Sequence, residues 1–305
     1  ASYGGVPALT ATSGPGVALM AEAIGLAAAS EVPIVVVDVM RCGPSTGIAT
    51  KSEQGDLNIA AYGLHGDASH VVVAPLSAGD CLTTTQWAVH LAESLQCPTL
   101  VLSDQLIGQA QVVIDRPADI SFLTMREVAE AHEEGYQRYA LTASGISPMA
   151  VPGTPGVQYT ADGLTHNERG SPSTTADDHL AQLDKRQAKL DGFDFGDRWA
   201  EIEGDGKLAV VTWGSSAGAV REALAELDGV RLIALRLIMP TRPDRLAAAL
   251  DGVERVLVVE QSHSGQFHRF LRAHYDLPGE VRVLHRPGPL PMGPNEIIET
   301  IREWS

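Results

Sequence analysis

The residues best placed for chemistry lie in the run D-V-M-R-C-G-P-S-T-G, from Asp38 to Gly47. Arg41 is followed there by Gly43, Pro44, Ser45, Thr46 and Gly47. A guanidinium presents a planar fork of donors that matches a carboxylate or a phosphate. Two hydroxyls on a loop shaped by glycine and proline suit the same kind of anion. The competing reading of Arg41 is a surface charge on a turn, and position alone leaves both open.

The element that must carry this loop is the β-branched run Ile34 to Val39, too short for a helix and expected as a buried strand with Asp38 near its carboxyl end. In an open α/β sheet, ligands bind outside the carboxyl ends of the strands. The surrounding pattern supplies such a sheet. Val6 to Thr12 reads as a strand that passes through Ser13-Gly14-Pro15-Gly16 into a helix over Val17 to Ala29. Asp56 to Tyr62 reads as a helix, His70 to Ala74 as a strand, Cys81 to Leu95 as a helix after a cap at Ser77 to Asp80, and Pro98 to Leu102 as a strand. Strands alternating with helices imply a mostly parallel α/β sheet with helices on both faces. Four strands are countable, where a doubly wound domain usually has more, and residue 1 is alanine rather than methionine. This first domain is expected over 1–111, with its front part missing from the sequence.

From 112 to 206 the texture changes. Asp119 to Tyr139 is charged and expected to be partly helical, and Ala143 to Pro172 is dense in Gly and Pro. A loop this long is expected to be a strap between domains or a functional cover. Asp177 to Leu190 reads as an exposed helix with its charges solvated, and Phe193 to Gly206 as an acidic linker. A second α/β unit is expected over 207–305, with strands near Leu208 to Trp213, Arg231 to Leu235, Arg255 to Glu260 and Val281 to Leu284. Its turn at Gly214 to Gly218 lacks the lysine of a phosphate-binding loop and reads as a tight strand-to-helix turn. His263, His268, His274 and His285 lack metal-ligand spacing and read as solvated or interface residues.

Composition narrows the function classes. The chain of 305 residues carries 22 basic and 38 acidic groups, a formal net charge of −16, against nucleic acid and anionic membrane surfaces as partners. No apolar run is long enough to span a bilayer, and no signal peptide is visible, so a cytoplasmic location is expected. Cys42, Cys81 and Cys97 are odd in number and widely spaced, against a disulfide framework. They also cannot supply the four thiolates of an iron–sulfur cluster, which must sit on another chain if one takes part.

T-A-T-S-G-P-G (Thr10 to Gly16), V-D-V-M-R-C-G-P-S-T-G-I-A-T-K-S-E-Q-G-D-L (Val37 to Leu57), H-G-D (His65 to Asp67) and S-D-Q (Ser103 to Gln105) together resemble the alpha subunit of 2-oxoacid:ferredoxin oxidoreductases, most of all the 2-oxoglutarate enzyme. G-I-S-P (Gly145 to Pro148), P-G-T-P-G (Pro152 to Gly156), W-G-S-S and V-E-Q-S-H-S-G-Q extend the resemblance over essentially the whole chain.

That resemblance implies oxidative decarboxylation of a 2-oxoacid on thiamine diphosphate, giving an acyl-CoA (succinyl-CoA from 2-oxoglutarate) and CO2 with reduction of ferredoxin. It implies a pyrimidine-binding domain first and a transketolase C-terminal-like domain last. A beta subunit would carry the diphosphate and Mg²⁺ half-site and a [4Fe–4S] cluster, in a dimer of heterodimers. Arg41 matches the family arginine that holds the substrate carboxylate, with Gly43, Ser45 and Thr46 as its supporting loop. Thr12, Ser13, Gly14 and Pro15 would lie near the cofactor. The family's thiamine-activating glutamate lies upstream of Thr12, in a part this sequence lacks, and Glu22, Glu31 and Glu53 are not candidates to replace it. Another 2-oxoacid, such as pyruvate or a branched-chain acid, and a non-catalytic α/β assembly subunit remain as alternatives.

Overall fold

Buried β-branched runs build two sheets, seen in a computed structural model that describes residues 1–117 and 124–304. The chain begins with β1 (Leu9–Thr12), α1 (Gly14–Ala29), β2 (Ile34–Met40), α2 (Leu57–Tyr62), β3 (Val71–Val73), α3 (Asp80–Leu95), β4 (Pro98–Asp104) and α4 (Gln105–Gly108). After a long irregular segment come α5 (Ala176–Asp191), β5 (Ala200–Glu203), β6 (Leu208–Trp213), α6 (Ser216–Leu224), β7 (Val230–Leu235), β8 (Leu237–Met239), α7 (Pro243–Ala249), β9 (Arg255–Glu260), α8 (Gln266–His274), β10 (Glu280–His285) and α9 (Pro294–Arg302).

The first sheet runs β1-β2-β4-β3-β8 and the second β10-β9-β6-β7-β5. All pairings are parallel except β3 with β8 and β5 with β7. Parallel sheets are covered on both faces, which is why β3, β4 and β6 are buried at every residue. Local signals start the helices: Pro15 sits in the first turn of α1, where its missing N–H is no loss, and Thr175 caps α5 by accepting from Asp178 N.

The fifth strand of the first sheet comes from the far end of the chain. β8 pairs antiparallel with β3, so residues after 207 contribute to both sheets. One continuous apolar cluster follows the same path, holding Val36, Leu57 and Trp87 from the first half and Trp213, Val258 and Phe267 from the second. A second cluster packs α6 and α9 against the other face of the second sheet. Nothing after Leu284 is assigned from the pattern, so α9, with Ile297, Ile298 and Ile301 buried, is an addition.

Three expectations need correction. The start of the charged stretch from Asp119 lies outside the described residues, and 124–139 holds turns and a bridge from Val128 to Met149 but no helix. The acidic linker contains a 3-10 turn, Gly196–Trp199, and β5, because its alternating residues pair with β7. Most consequentially, α5 is not solvated along its charged face: Gln182, Lys185, Arg186 and Lys189 are all buried.

The two lysines share one partner, while Gln182 Nε2 donates to Tyr139 O at 3.1 Å. Glu31, fully buried in the turn before β2 and held at φ 52°, accepts from Lys185 Nζ at 2.6 Å and Lys189 Nζ at 2.9 Å. Arg138, also fully buried, donates to the carbonyls of Glu31 (2.7 Å) and Ser147 (3.1 Å). Nearby, Arg126 grips buried Glu93 through Nη2 (2.5 Å) and Nε (2.8 Å). The Gly- and Pro-rich segment is thus drawn under the amino ends of β2 and β4 by ion pairs and carbonyl contacts. It covers the end of the sheet opposite Arg41.

Burial raises the Glu31 carboxyl, but Lys189, Lys185 and Arg138 outweigh it and hold the group well below the usual range. Its stabilising contribution is therefore present above the unfolded carboxylate pKa and lost as pH falls below it. Glu31→Gln keeps the shape and leaves the cations without their counter-charge. It is expected to destabilise the protein by about 3–5 kcal/mol at pH 7 in denaturant unfolding. A loss below about 1 kcal/mol would mean that the cluster is not organised by this carboxylate.

Candidate functional site

At the carboxyl ends of β1 and β2, the start of α1 and the loop after β2 face the second sheet across a cleft of about 800 Å³. Gly14, Pro15, Arg41, Gly43, Pro44 and Ser45 line it from the first unit. Glu53, Gly55, Asp56 and Asn58 follow on the return of the same loop. His263, Ser264, Gln266 and Pro287 close it from the second unit.

The loop from Arg41 to Asp56 is folded back on itself. Cys42 N donates to Lys51 O and Ile48 N to Cys42 O, each at 3.0 Å. Gly288 of the second unit packs on this closure so tightly that a Cβ there would collide with Cys42 Sγ and Ser52 O. Gly14 is similarly constrained, because a Cβ would strike the Asp56 carboxylate. That carboxylate therefore lies against the first turn of α1, where helix N–H groups favour negative charge.

Charge in the cleft is unbalanced. Arg41 enters no hydrogen bond or ion pair with any described residue, and its Nε is buried without a partner. Asp38, fully buried beneath the cleft, has neither carboxylate oxygen paired. Burial, with Asp56 adding repulsion, pushes Asp38 up to about 8. Asp56 is raised to about 6 by burial and Glu53, with Arg41 opposing. Near neutral pH the site thus holds one protonated carboxyl and a guanidinium with no anion bonded to it. Such a guanidinium can take a carboxylate or a phosphate.

Of the residues singled out from sequence, Arg41, Gly43, Ser45, Gly14 and Pro15 come together in the cleft wall. Thr46 is exposed and stands outside it. Thr12 and Ser13 precede α1 without lining the cleft, and the Thr12 hydroxyl packs over Gly16. Glu22 is exposed and bonded to His65, while Glu31 belongs to the opposite end of the sheet. Glu53, set aside in the sequence, does line the cleft, and its carboxylate accepts from Gly288 N at 3.3 Å. Asp56, Asn58, His263, Ser264 and Gln266 were not recognised as site residues. The only available signal was that E-Q-G-D and Q-S-H-S-G-Q both belong to the motifs quoted above.

The fold, two α/β units with a cleft at the strand ends, is similar to that of a split-gene transketolase over 97% of this chain, with a TM-score of 0.52 at 11% identity. The family described as pyruvate flavodoxin/ferredoxin oxidoreductase, thiamine diphosphate-binding, matches residues 1–185. The chain belongs to the 2-oxoacid:ferredoxin oxidoreductase family and is similar to its alpha subunits. The 2-oxoglutarate synthase subunit KorA of Methanothermobacter marburgensis is 31% identical over 99% of this chain and 81% of its own length. The 2-oxoglutarate oxidoreductase subunit KorA of Mycobacterium tuberculosis is 36% identical over 90% of this chain and 43% of its own. The chain therefore spans less than half of that relative. The 2-oxoglutarate:ferredoxin oxidoreductase of Magnetococcus marinus, solved with 2-oxoglutarate, coenzyme A and succinyl-CoA bound, superposes with a TM-score of 0.89 at 37% identity, over 99% of this chain and 54% of that one.

The residues present do not fit the whole of a thiamine diphosphate. Its diphosphate is normally held through Mg²⁺, which needs converging oxygen ligands. No group of three or more His, Cys, Asp or Glu among the described residues could hold a metal ion. Glu53 and Asp56 would also repel a diphosphate in this cleft.

Asp38 makes stability depend on pH. Its folded pKa is raised, so the stability it lends is complete below the unfolded value near 4 and is lost as pH rises through about 8. Asp56 adds a slope of the same sign only up to about 6. Between pH 6 and 8, Asp38→Asn is expected to gain on the wild type by up to about 1.4 kcal/mol per pH unit. Thermal melts across that window check this, and a constant difference between the two proteins would show that Asp38 does not titrate there.

Proposed function

We propose that this chain is the substrate-holding part of the alpha subunit of a thiamine-dependent 2-oxoacid:ferredoxin oxidoreductase, with 2-oxoglutarate as its 2-oxoacid. The observation that carries this reading is the unpaired Arg41 in the wall of the cleft. An assembly subunit has no use for a guanidinium held there without a counter-charge. The choice of 2-oxoglutarate rests on similarity to the Magnetococcus enzyme and to the two KorA subunits.

In this reading Arg41 forks onto the carboxylate of the 2-oxoacid. The loop closure at Cys42 and Lys51 sets the direction of the fork, and Gly43 and Ser45 keep the approach open. The group Arg41 holds leaves as CO2, so its attraction is strongest before decarboxylation and it acts mainly in capture and orientation. Thiamine diphosphate supplies the carbanion chemistry when bound. A beta subunit provides the diphosphate and Mg²⁺ ligands that this cleft does not offer, together with a [4Fe–4S] cluster. Electrons pass to ferredoxin, and the acyl group passes to CoA. A cluster on the beta subunit also agrees with the cysteines, since Cys42, Cys81 and Cys97 are free and Cys42 and Cys97 are buried.

In the complete enzyme, Arg41→Met is expected to lower kcat/KM for 2-oxoglutarate roughly 30- to 1000-fold, the loss of charge-assisted hydrogen bonds worth about 2–4 kcal/mol. Arg41→Lys should recover only part of this, since an ammonium cannot make the bidentate contact. Affinity for thiamine diphosphate should stay unchanged in both variants. Steady-state reduction of an artificial acceptor against 2-oxoacid concentration, beside a cofactor titration, checks all three. Wild-type kcat/KM in Arg41→Met would make Arg41 a surface charge, and a loss of cofactor with it would make the loop structural.

A further inference from the structure

We infer that the second unit positions the substrate cleft, with Gln54, Gln261 and Gln266 acting through residues 52–58 on Arg41; this deepens the clamp proposed above and rests on it. Gln266 Nε2 donates to Gly55 O at 2.7 Å, and its Oε1 accepts from Asn58 N at 3.0 Å. Gln261 Nε2 donates to Ser52 O at 3.3 Å and to Leu290 O at 3.0 Å. Gln54, fully buried, reaches the other way. Its Nε2 donates to Trp213 O at 2.8 Å, and its Oε1 accepts from Ser216 Oγ at 2.9 Å and Gln261 N at 2.7 Å.

The amide ends of the three glutamines are therefore engaged between the units, which leaves them as anchors rather than substrate ligands. Between the anchored backbone positions stand Glu53 and Asp56, both in the cleft wall. The segment is tied back to Arg41 where Cys42 N meets Lys51 O and Cys42 Sγ meets Ser52 O at 3.4 Å. A displacement at 52–58 is thus passed to the start of the Arg41 loop.

The turn that carries Gln261 and Gln266 is itself fixed. Glu260, fully buried, accepts from Phe267 N and His268 N at 2.8 Å each and from Ser262 Oγ at 2.7 Å. Ser262 Oγ accepts in turn from Gln266 N at 3.0 Å. The start of α8 is therefore already satisfied by a carboxylate and is no anion site. It serves as a rigid mount. This explains V-E-Q-S-H-S-G-Q as a unit: Glu260 builds the turn, and the two glutamines reach from it into the first unit.

The test uses Gln266→Met in the complete enzyme, because Gln266 is only half-buried and its loss spares the core. KM for 2-oxoglutarate is expected to rise roughly 5- to 20-fold, the size of one to two neutral hydrogen bonds, with kcat and melting temperature little changed. In a double-mutant cycle with Arg41→Met, the second substitution should add little, since the group it positions is gone. Gln54→Met, which does not touch the cleft, should raise KM in the same direction with a larger fall in melting temperature. An unchanged KM in Gln266→Met, or fully additive losses in the cycle, would overturn the inference. If Arg41→Met alone were silent, the clamp itself would be the part that failed.

Discussion

The site depends on one buried amide. Gln54 is shut away from solvent, and its side-chain amide donates to Trp213 O and accepts from Ser216 Oγ and Gln261 N, all from the other half of the chain. A buried polar group left unmade costs about 1–3 kcal/mol, while a made one gains little. Gln54 therefore acts less as glue than as a register pin. The observed placement of the second sheet satisfies it, and in that placement His263 and Ser264 line the same cleft as Arg41. The shared apolar cluster supplies the attraction between the units, and the amides select the geometry.

The two ends of the first sheet show opposite electrostatic designs. At the amino end, one carboxylate, Glu31, gathers Lys185 and Lys189, and both its oxygens are bonded. Burial of that carboxylate is compensated by its partners. At the carboxyl end, Asp38 has no partner and Arg41 no anion among the described residues. A guanidinium without an anion in a cleft wall is a place where an anionic ligand can complete the structure. The same strand, β2, connects the two ends, so the end tied down by ion pairs steadies the end that presents Arg41.

Much of the first sheet was legible because its signals are local. Continuous β-branched runs and the Gly- and Pro-marked turns that separate them from the helices each declare themselves within a few residues. The position of Arg41, on a Gly- and Pro-shaped loop after a buried strand, was legible for the same reason. What was missed is long-range. Lys185 and Lys189 read as solvated because their partner, Glu31, is about 150 residues away. β8 is a three-residue strand whose only ladder among the described residues is with β3. The pairing of Gln266 with Gly55 and Asn58 joins two motifs that were each recognised but not seen as parts of one wall. Thr46 shows the reverse failure: its type and spacing suit an anion, yet the loop turns it to solvent.

The central claim is that a 2-oxoacid seats its carboxylate on Arg41 in the cleft between the two sheets. The most direct measurement is an experimental structure of the complete enzyme with 2-oxoglutarate bound. The predicted result is a bidentate contact, with guanidinium nitrogens about 2.7–2.9 Å from both oxygens of one substrate carboxylate and the 52–58 backbone still on Gln261 and Gln266. A substrate carboxylate held elsewhere, with Arg41 turned to solvent or paired with Asp56, would contradict it.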